Sequence, residues 1–318
     1  MRIIQKWCLL ALCLCAANGS VQAKQIALSF DDAPRDAGPL FSGPERTAQL
    51  IDSLRQAGAV PTVFFVKTSG MNTQEGATRI EQYANAGHLI ANHTHSHWWL
   101  NRTETDAYLA DIDQAESRLQ GLPNRRPWFR FPYLDEGRPK AQRDAVRQAL
   151  RERGLHNGYV TVDNFDWYLA RQWQRAVDEG RWVNHHALKT VYLEMLVSAV
   201  EFYDALAVSS LGRSPAHVLL LHENDLAALY VDELIARLRE DGWEIVSPDK
   251  AYADPVSTWQ SDTLFSWQGR IAAIARDQGV PHADLRHYSS QEEALDEILQ
   301  ERGVFAEPTS DFTLLNPQ

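Results

Sequence analysis

The stretch QIALSFDD, residues 25–32, is a short run of β-prone apolar residues that ends in two aspartates. Similar apolar runs recur at 60–66, 88–92, 127–132, 158–163, 217–222 and 243–247. Helix-length patterns lie between these runs, and the longest covers 186–209. Short apolar runs that alternate with helical segments are typical of βα units around a mainly parallel sheet.

About seven such units within roughly 230 residues favour a closed or nearly closed barrel. We therefore predict an α/β fold, a distorted (β/α) barrel of about seven parallel strands, with a doubly wound open sheet as the alternative. Residues 254–318 differ, since they carry helical patterns near 267–278 and 291–302 and end in a polar tail. We predict a catalytic barrel over 24–253 and a C-terminal helical extension over 254–318.

The first 23 residues do not fit the βα pattern. Arg2 and Lys6 precede an apolar run over 7–17, and small and polar residues follow as far as Ala23. This is typical of a secretory signal peptide over 1–23, so we expect export to the periplasm or outside the cell and no stable membrane insertion after cleavage. An uncleaved anchor is the alternative, although a membrane span needs about 20 apolar residues.

All three cysteines lie within this leader, so the exported chain would have no disulfide and no thiolate metal site. Any metal would have to be held by His, Asp or Glu. Removal of the leader takes away two positive charges and no negative ones, which changes the formal net charge from −11 to −13. Such an acidic protein is a poor candidate for nucleic-acid binding, which depends on Lys and Arg patches.

Polar residues follow the apolar runs, and chemistry in parallel βα folds gathers at the carboxyl ends of the strands. The first run ends in Asp31 and Asp32. Two adjacent carboxylates can divide the work, because one can bind a metal while the other acts as a base. A solvated acidic turn is the alternative.

Three histidines, His93, His95 and His97, follow the third run. A helical turn or a tight loop would place His93 and His97 on one side, and such pairs are common zinc ligands when a carboxylate completes the set. His95 would then face elsewhere, whereas in an extended strand all three imidazoles would share a face. A cluster of partly exposed histidines without metal is the alternative.

Three further runs end in residues that are weak signals when taken alone. They are Arg130 and Tyr133 in FRFPY, Asp163, Asp166 and Trp167 in VDNFDW, and Leu220 and His222 in LLLHEN. A structural ion pair, a capped helix start and a structural histidine are the respective alternatives.

Taken together, these blocks read Asp-Asp, His-x-x-x-His, Arg-x-Pro-Tyr, Asp-x-x-Asp-Trp and Leu-x-His in chain order. This order resembles the NodB-type polysaccharide deacetylases, carbohydrate esterase family four, from about Ile26 to Tyr252. The resemblance implies a metal-dependent hydrolase that removes N-acetyl groups from a GlcNAc-containing polysaccharide or oligosaccharide and releases acetate. An O-acetyl esterase on xylan or another acetylated glycan, and a non-catalytic glycan-binding relative, are the alternatives.

The resemblance also implies roles for single residues. Asp31 would be the general base. Asp32, His93 and His97 would hold a divalent metal, zinc as first choice, with cobalt or nickel able to occupy the same ligands. His95 would not bind the metal.

On the same basis, Arg130 would support the catalytic carboxylates, Asp166 would lie behind the site, and His222 would be the general acid. Three groups would face the substrate: the backbone N–H of Tyr133 in the oxyanion hole, Trp167 along the groove and Leu220 as a wall of the acetyl pocket.

The sequence departs from the family pattern at three places. Ala33 follows the aspartate pair where glycine is usual, LDEG at 134–137 follows the Pro-Tyr where glycine is usual, and 168–216 is a long segment rich in helix formers. We expect these departures to change the shape of the groove more than the chemistry. Nine of the ten tryptophans lie beyond residue 90, and we expect one or two, Trp167 foremost, to touch the substrate.

Overall fold

The computed structural model describes residues 23–59, 61–264 and 268–306, so the predicted signal peptide lies almost wholly outside the described residues. The strands are β1 Lys24–Ala33, β2 Val63–Val66, β3 Leu89–Asn92, β4 Arg125–Phe129, β5 His156–Asn157, β6 Trp182–Val183, β7 Ala216–His222, β8 Trp243–Ile245 and β9 Phe305–Ala306. The helices are α1 Gly43–Gln56, α2 Gln74–Asn85, α3 Thr105–Leu119, α4 Lys140–Glu152, α5 Asp166–Asp178, α6 His185–Leu211, α7 Asp225–Glu240, α8 Pro248–Tyr252, α9 Gly269–Asp277 and α10 Glu292–Glu301.

Strand β1 pairs with three strands of a parallel sheet, β2, β7 and β8. The main strand order of this sheet is β5-β4-β3-β2-β1-β7. One edge of β1 pairs with β7 from Gln25 to Asp31, in register with Ala216 to His222. The other edge is shared, since β8 pairs with the first residues of β1 and β2 with its last ones. The sheet therefore curves around β1, as the predicted distorted (β/α) barrel requires.

The barrel closes between β5 and β7 through a sparse set of backbone contacts. Beyond β5 the chain reaches β7 at one isolated bridge, between Val162 and Leu219. Thr161 N and Val162 N both donate to Val218 O, and Leu220 N donates to Val162 O. This join is much less regular than the strand predicted over 158–163.

Alternate residues of each strand face different apolar layers. Val63, Phe65, Ala91 and Trp128 pack together inside the barrel. Ile26, Leu28 and Phe30 pack outward into the main core beneath the helices. Because both faces are covered, the strands read as nearly continuous apolar runs in the sequence.

The segment 168–216 contains most of α5, together with β6 and the long buried helix α6. Helix α9 packs against α6, and β9 pairs with β6 in an antiparallel ladder. The C-terminal part thus lies against the segment that departs from the family pattern. The division of the chain at residue 254 stays a prediction. In the part of the chain that the structure describes, no helix has the length and apolar character needed to span a membrane.

Candidate active site

The carboxyl ends of four parallel strands bring the candidate residues to one edge of the barrel. Asp31 and Asp32 lie near the end of β1, and His93 directly follows β3. Arg130 directly follows β4, while His222 is the last residue of β7 and the register partner of Asp31. This is the edge at which active sites of parallel α/β barrels form.

Asp32, His93 and His97 form a group that fits a metal ion. One ligand atom from each lies within 4.8 Å of the others. Asp32 Oδ1 is 3.1 Å from His97 Nε2 and 3.7 Å from His93 Nε2. Among the described residues, this buried Oδ1 atom has no hydrogen-bond partner. Two imidazoles and one carboxylate with an orphaned oxygen are suited to a divalent cation such as zinc.

The tautomer of His93 supports this reading of the group. His93 Nδ1 lies 2.9 Å from the carbonyl oxygen of Arg130, and a carbonyl can only accept, so Nδ1 carries the proton. The lone pair of Nε2 then faces Asp31 and Asp32. Burial lowers the pKa of His93 to about 4, although the two carboxylates oppose this shift. A neutral imidazole whose second nitrogen is held by a carbonyl is typical of a metal ligand.

The histidine loop reaches this geometry through a bend, not through a helical turn or a strand. Asn92 Oδ1 accepts from Thr94 N at 2.7 Å, and Thr94 Oγ1 accepts from His97 N at 2.9 Å. Asp111 on α3 accepts from the backbone N–H groups of His95 and Ser96. His95 points away, with Nδ1 2.9 Å from Thr68 Oγ1, and is absent from the metal-competent group.

Backbone strain is concentrated around this edge. Six described non-glycine residues have positive φ: Asp32, Thr94, His97, Tyr133, Leu134 and Asn124. All but Asn124 belong to the candidate motifs or follow them directly. Each such conformation costs on the order of 1–3 kcal/mol and persists only where surrounding contacts enforce it, which is common at functional sites.

Asp31 is held by the buried guanidinium of Arg130. Arg130 Nη1 donates to Asp31 Oδ1 at 2.6 Å and to Ser29 Oγ at 2.8 Å. The other carboxylate oxygen, Oδ2, lies 3.7 Å from His93 Nε2 and faces the metal-competent group. One oxygen is therefore fixed while the second remains available to the site.

The rest of the Arg130 side chain is tied to the closing segment of the barrel. Its Nε donates to Gly158 O at 2.6 Å, and Nη2 donates to Tyr252 Oη at 2.9 Å. The guanidinium carbon lies 3.8 Å from the centre of the Phe65 ring. These contacts leave Arg130 little freedom to change its orientation.

His222 is held from behind by Asp166. His222 Nδ1 lies 2.6 Å from Asp166 Oδ1, while Asp166 Oδ2 accepts from His222 N and from Asn224 Nδ2. Burial by itself would lower the pKa of His222, but the carboxylates of Asp166, Asp32 and Asp31 together outweigh it and the pKa is raised. Asp163 lies apart from this pair, where its Oδ2 accepts from Ser290 Oγ at 2.9 Å.

Residues 18–158 match the family model described as polysaccharide deacetylase. Residues 18–158 of this chain are thus similar to the polysaccharide deacetylase family. Among curated relatives, a peptidoglycan-N-acetylglucosamine deacetylase of Bacillus cereus is 33% identical over 119 residues, which are 37% of this chain and 39% of the relative. A chitin deacetylase of Arthroderma benhamiae is 22% identical over 249 residues, which are 77% of this chain and 55% of that protein.

The chain is also similar in fold to solved members of carbohydrate esterase family four. One of these structures, a family pseudoenzyme from Bacillus anthracis, superposes with a TM-score of 0.51 at 17% identity and covers 72% of this chain and 66% of the other. This likeness shows the fold alone. The chain spans about two fifths to just over half the length of the two curated relatives described above.

The substrate-side candidates lie at different depths below the surface. Tyr133 has φ 59° and is 54% exposed, with its ring 4.7 Å from that of His97 and 5.3 Å from that of Trp99. Trp167 is half-buried against Phe165. Leu220, the predicted wall of the acetyl pocket, is less accessible because it is buried.

Several residues of the site were not singled out from the sequence. They are Ser29 and Tyr252 on Arg130, Asn224 on Asp166, Asp111 on the histidine loop, and a buried ionic group of Arg46, Arg79 and Glu223. Ser29, Glu223 and Asn224 lie within two residues of Asp31 or His222, and this closeness in sequence was the available signal. Tyr252, Asp111, Arg46 and Arg79 lie far from the motifs in the sequence.

Proposed function

We propose that this protein is an exported, metal-dependent deacetylase that hydrolyses N-acetyl groups of a GlcNAc-containing polysaccharide or oligosaccharide. The proposal depends most on one observation: Asp31 and His222 flank the Asp32, His93 and His97 group, and each is oriented by a buried partner. The names of the relatives support a glycan substrate. The predicted signal peptide supports export to the periplasm or outside the cell.

Asp32, His93 and His97 would hold the metal, and zinc suits this donor set best. A divalent cation at this position supplies Lewis acidity, which polarises the acetyl carbonyl and acidifies water. The orphaned oxygen of Asp32 and the proton-free Nε2 of His93 are the features of this chain that favour a cation.

Asp31 acts as the general base in this proposal. Its Oδ2 faces the site, whereas Oδ1 is held by Arg130. As water adds to the acetyl carbon, a C–O bond forms and one water proton moves to Asp31 Oδ2. Arg130 keeps the carboxylate in place during this transfer.

His222 acts as the general acid. Asp166 accepts from Nδ1, so the proton available for transfer is on Nε2. When the C–N bond breaks, this proton moves to the departing nitrogen, because an amine is a poor leaving group until it is protonated. Acetate and a free amino sugar are the products.

Tyr133 contributes its backbone N–H to the oxyanion in this mechanism. The left-handed conformation at Tyr133 sets the direction of this peptide group. A fixed donor of this kind contributes about 3 kcal/mol in other acyl-transfer sites. Leu220 would line the acetyl pocket, and Trp167 would stack on a sugar ring of the substrate.

Acetate release tests the proposal directly. The purified protein would be incubated with chitin oligomers, peptidoglycan fragments and acetylated xylan, each with added zinc or with a chelator. We expect acetate from an N-acetylated glycan, lost with chelator and restored by zinc. Asp31→Asn should abolish release while retaining metal, whereas Asp52→Asn, an exposed carboxylate on α1, should behave as wild type.

Three results would contradict the proposal. Activity that survives complete metal removal would overturn the metal assignment. Acetate release from xylan alone would favour the O-acetyl esterase, and glycan binding with neither metal nor acetate release would favour a non-catalytic relative.

A further inference from the structure

A groove begins at Asp32 and runs between the loop 35–39 and helix α5. Trp167 and Arg171 of α5 line one wall, and Arg35 lines the other. Lys67, just beyond the end of β2, also lines this groove. A glycan bound with its acetyl group at Asp32 would extend into this space.

The backbone of Arg35 is fixed by a buried clamp, formed by Arg46, Arg79 and Glu223. Arg35 N donates to Glu223 Oε2 at 2.7 Å. Arg35 O accepts from Arg46 Nη2 at 2.7 Å and from Arg79 Nη1 at 2.8 Å. Glu223 is fully buried and also accepts from both arginines and from Tyr83 Oη.

Such a clamp costs desolvation free energy, because buried charges lose their hydration and are stable only in a complete network. Its effect is to place the Arg35 side chain, which remains half-exposed, beside the metal-competent group. Arg35 Nη1 lies 3.5 Å from Asp32 Oδ2. A cation fixed in this way loses little conformational entropy when it binds a ligand.

Lys67 is the second cation of the groove that is available to a ligand. Its side chain is half-buried, and no carboxylate of the described chain lies within ion-pair distance of its Nζ. The other lining cations are already paired: Arg46 with Glu223 and Asp225, Arg171 with Glu292, and Arg175 with Glu179. The lining carboxylates besides Asp32 and Asp225 are Asp36 and Asp178.

We propose that Arg35 and Lys67 form an anion-recognition pair, so that the preferred glycan carries a carboxylate on a sugar beside the one that loses its acetyl group. This inference rests on the proposed deacetylase function. When Asp32 binds a metal, its charge is shared with the ion, and Arg35 is then free to pair with a carboxylate of the substrate. The pair gives a protein of strongly negative net charge a local means to attract an acidic substrate.

Three glycans of equal length separate this inference from a simple preference for N-acetyl groups. They are a neutral N-acetylglucosamine oligomer, an oligomer that alternates N-acetylglucosamine with a carboxylate-bearing sugar, and the same oligomer after amidation of its carboxylates. We expect wild-type kcat/KM to be about tenfold higher for the carboxylate glycan than for the amidated one, as a charge-assisted contact provides. Added salt should reduce this ratio because the groove is open to solvent.

Arg35→Gln and Lys67→Gln should each lower the ratio of carboxylate to amidated kcat/KM severalfold, and Arg35→Lys should retain part of it. Arg55→Gln removes an equal charge from an exposed position on α1 and should leave the ratio unchanged. Should Arg35→Gln fail to fold, Lys67→Gln and the amidation comparison decide alone.

An unchanged ratio in both variants, or equal rates on the carboxylate and amidated glycans, would overturn the anion-recognition pair. If none of the three glycans releases acetate, the proposed function fails instead. Calorimetric binding of the carboxylate and amidated oligomers to the zinc-loaded protein would then still decide whether Arg35 and Lys67 select the anion.

Discussion

His222 Nδ1 and Asp166 Oδ1 lie 2.6 Å apart, and this carboxylate lies at the N-terminus of α5 while the imidazole ends β7. The pair joins a motif on a strand to the motif that directly precedes the segment 168–216, which departs from the family pattern. It also favours the protonated state that the proposed acid needs. Burial would lower the pKa of His222, and Asp166 is the largest of the carboxylates that oppose this shift, with Asp32 and Asp31 adding to it.

Replacing Asp166 with Asn should therefore lower the pKa of His222, since the largest of the charges that oppose burial would then be missing. The proposed acid must be protonated, so the alkaline limb of the kcat/KM profile should move to lower pH in Asp166→Asn. A pH series on an N-acetylated oligomer measures this shift. If the limb stays in place while the rate falls, Asp166 does not act through the protonation of His222.

His222→Ala should reduce amide cleavage more than ester cleavage. General acid catalysis typically contributes about 10²–10⁴-fold, and an amine depends on it more than an alcohol does. Parallel rates on an N-acetylated oligomer and on an O-acetylated glycan test this difference. Equal losses on both substrates would contradict the assignment of His222 as the acid.

Single alanine variants should divide the three histidines of the 93–97 loop. His93→Ala and His97→Ala should lose bound zinc, because each removes one of only three protein ligands. His95→Ala should keep the metal, since its imidazole contacts Thr68 instead. Metal analysis after dialysis, together with the zinc-dependent rise in melting temperature, measures this. Loss of metal in His95→Ala would show that the loop rearranges around the ion.

Asp163→Asn should stabilise the protein more at pH 8 than at pH 5. Burial raises the pKa of Asp163 to about 7, against the hydrogen bond from Ser290. Below about pH 4 both folded and unfolded chains hold this proton. Between about pH 4 and 7 only the folded chain holds it, so stability falls as the pH rises.

Urea unfolding of Asp163→Asn and wild type at the two pH values gives the comparison. The difference in unfolding free energy should grow by on the order of 2 kcal/mol between pH 5 and pH 8. A difference that does not change with pH would mean that Asp163 is ionised in the folded protein.

The parallel barrel and the meeting of the candidate residues could be predicted because each motif is local to one strand end. Parallel strands share an edge, so Asp32, His93, Arg130 and His222 had to come close together once the barrel was inferred. The bend of the histidine loop could not be predicted in this way. It depends on Asp111, a residue of the following helix whose carboxylate looks like an ordinary surface charge in the sequence.

The buried clamp of Arg46, Arg79 and Glu223 could not be predicted from the sequence either. Arg46 and Arg79 occupy amphipathic helices, where arginine is usually solvated, and only the packing of α1 and α2 against the turn at Glu223 brings them inside. In contrast, the regular strand predicted over 158–163 does not form. Its β-prone residues do not form a regular ladder, because Arg130 takes the carbonyls of Gly158 and Tyr159 that a neighbouring strand would otherwise use.

Arg130 therefore stabilises the join between residues 158–162 and β7, which we call the barrel seam. The seam has one bridge and a few backbone hydrogen bonds, so its amides should exchange with solvent sooner than those of β1 and β7. The guanidinium that orients the base thus also holds the weakest join of the sheet. A relative that loses this arginine yet keeps the fold must close its barrel by some other contact.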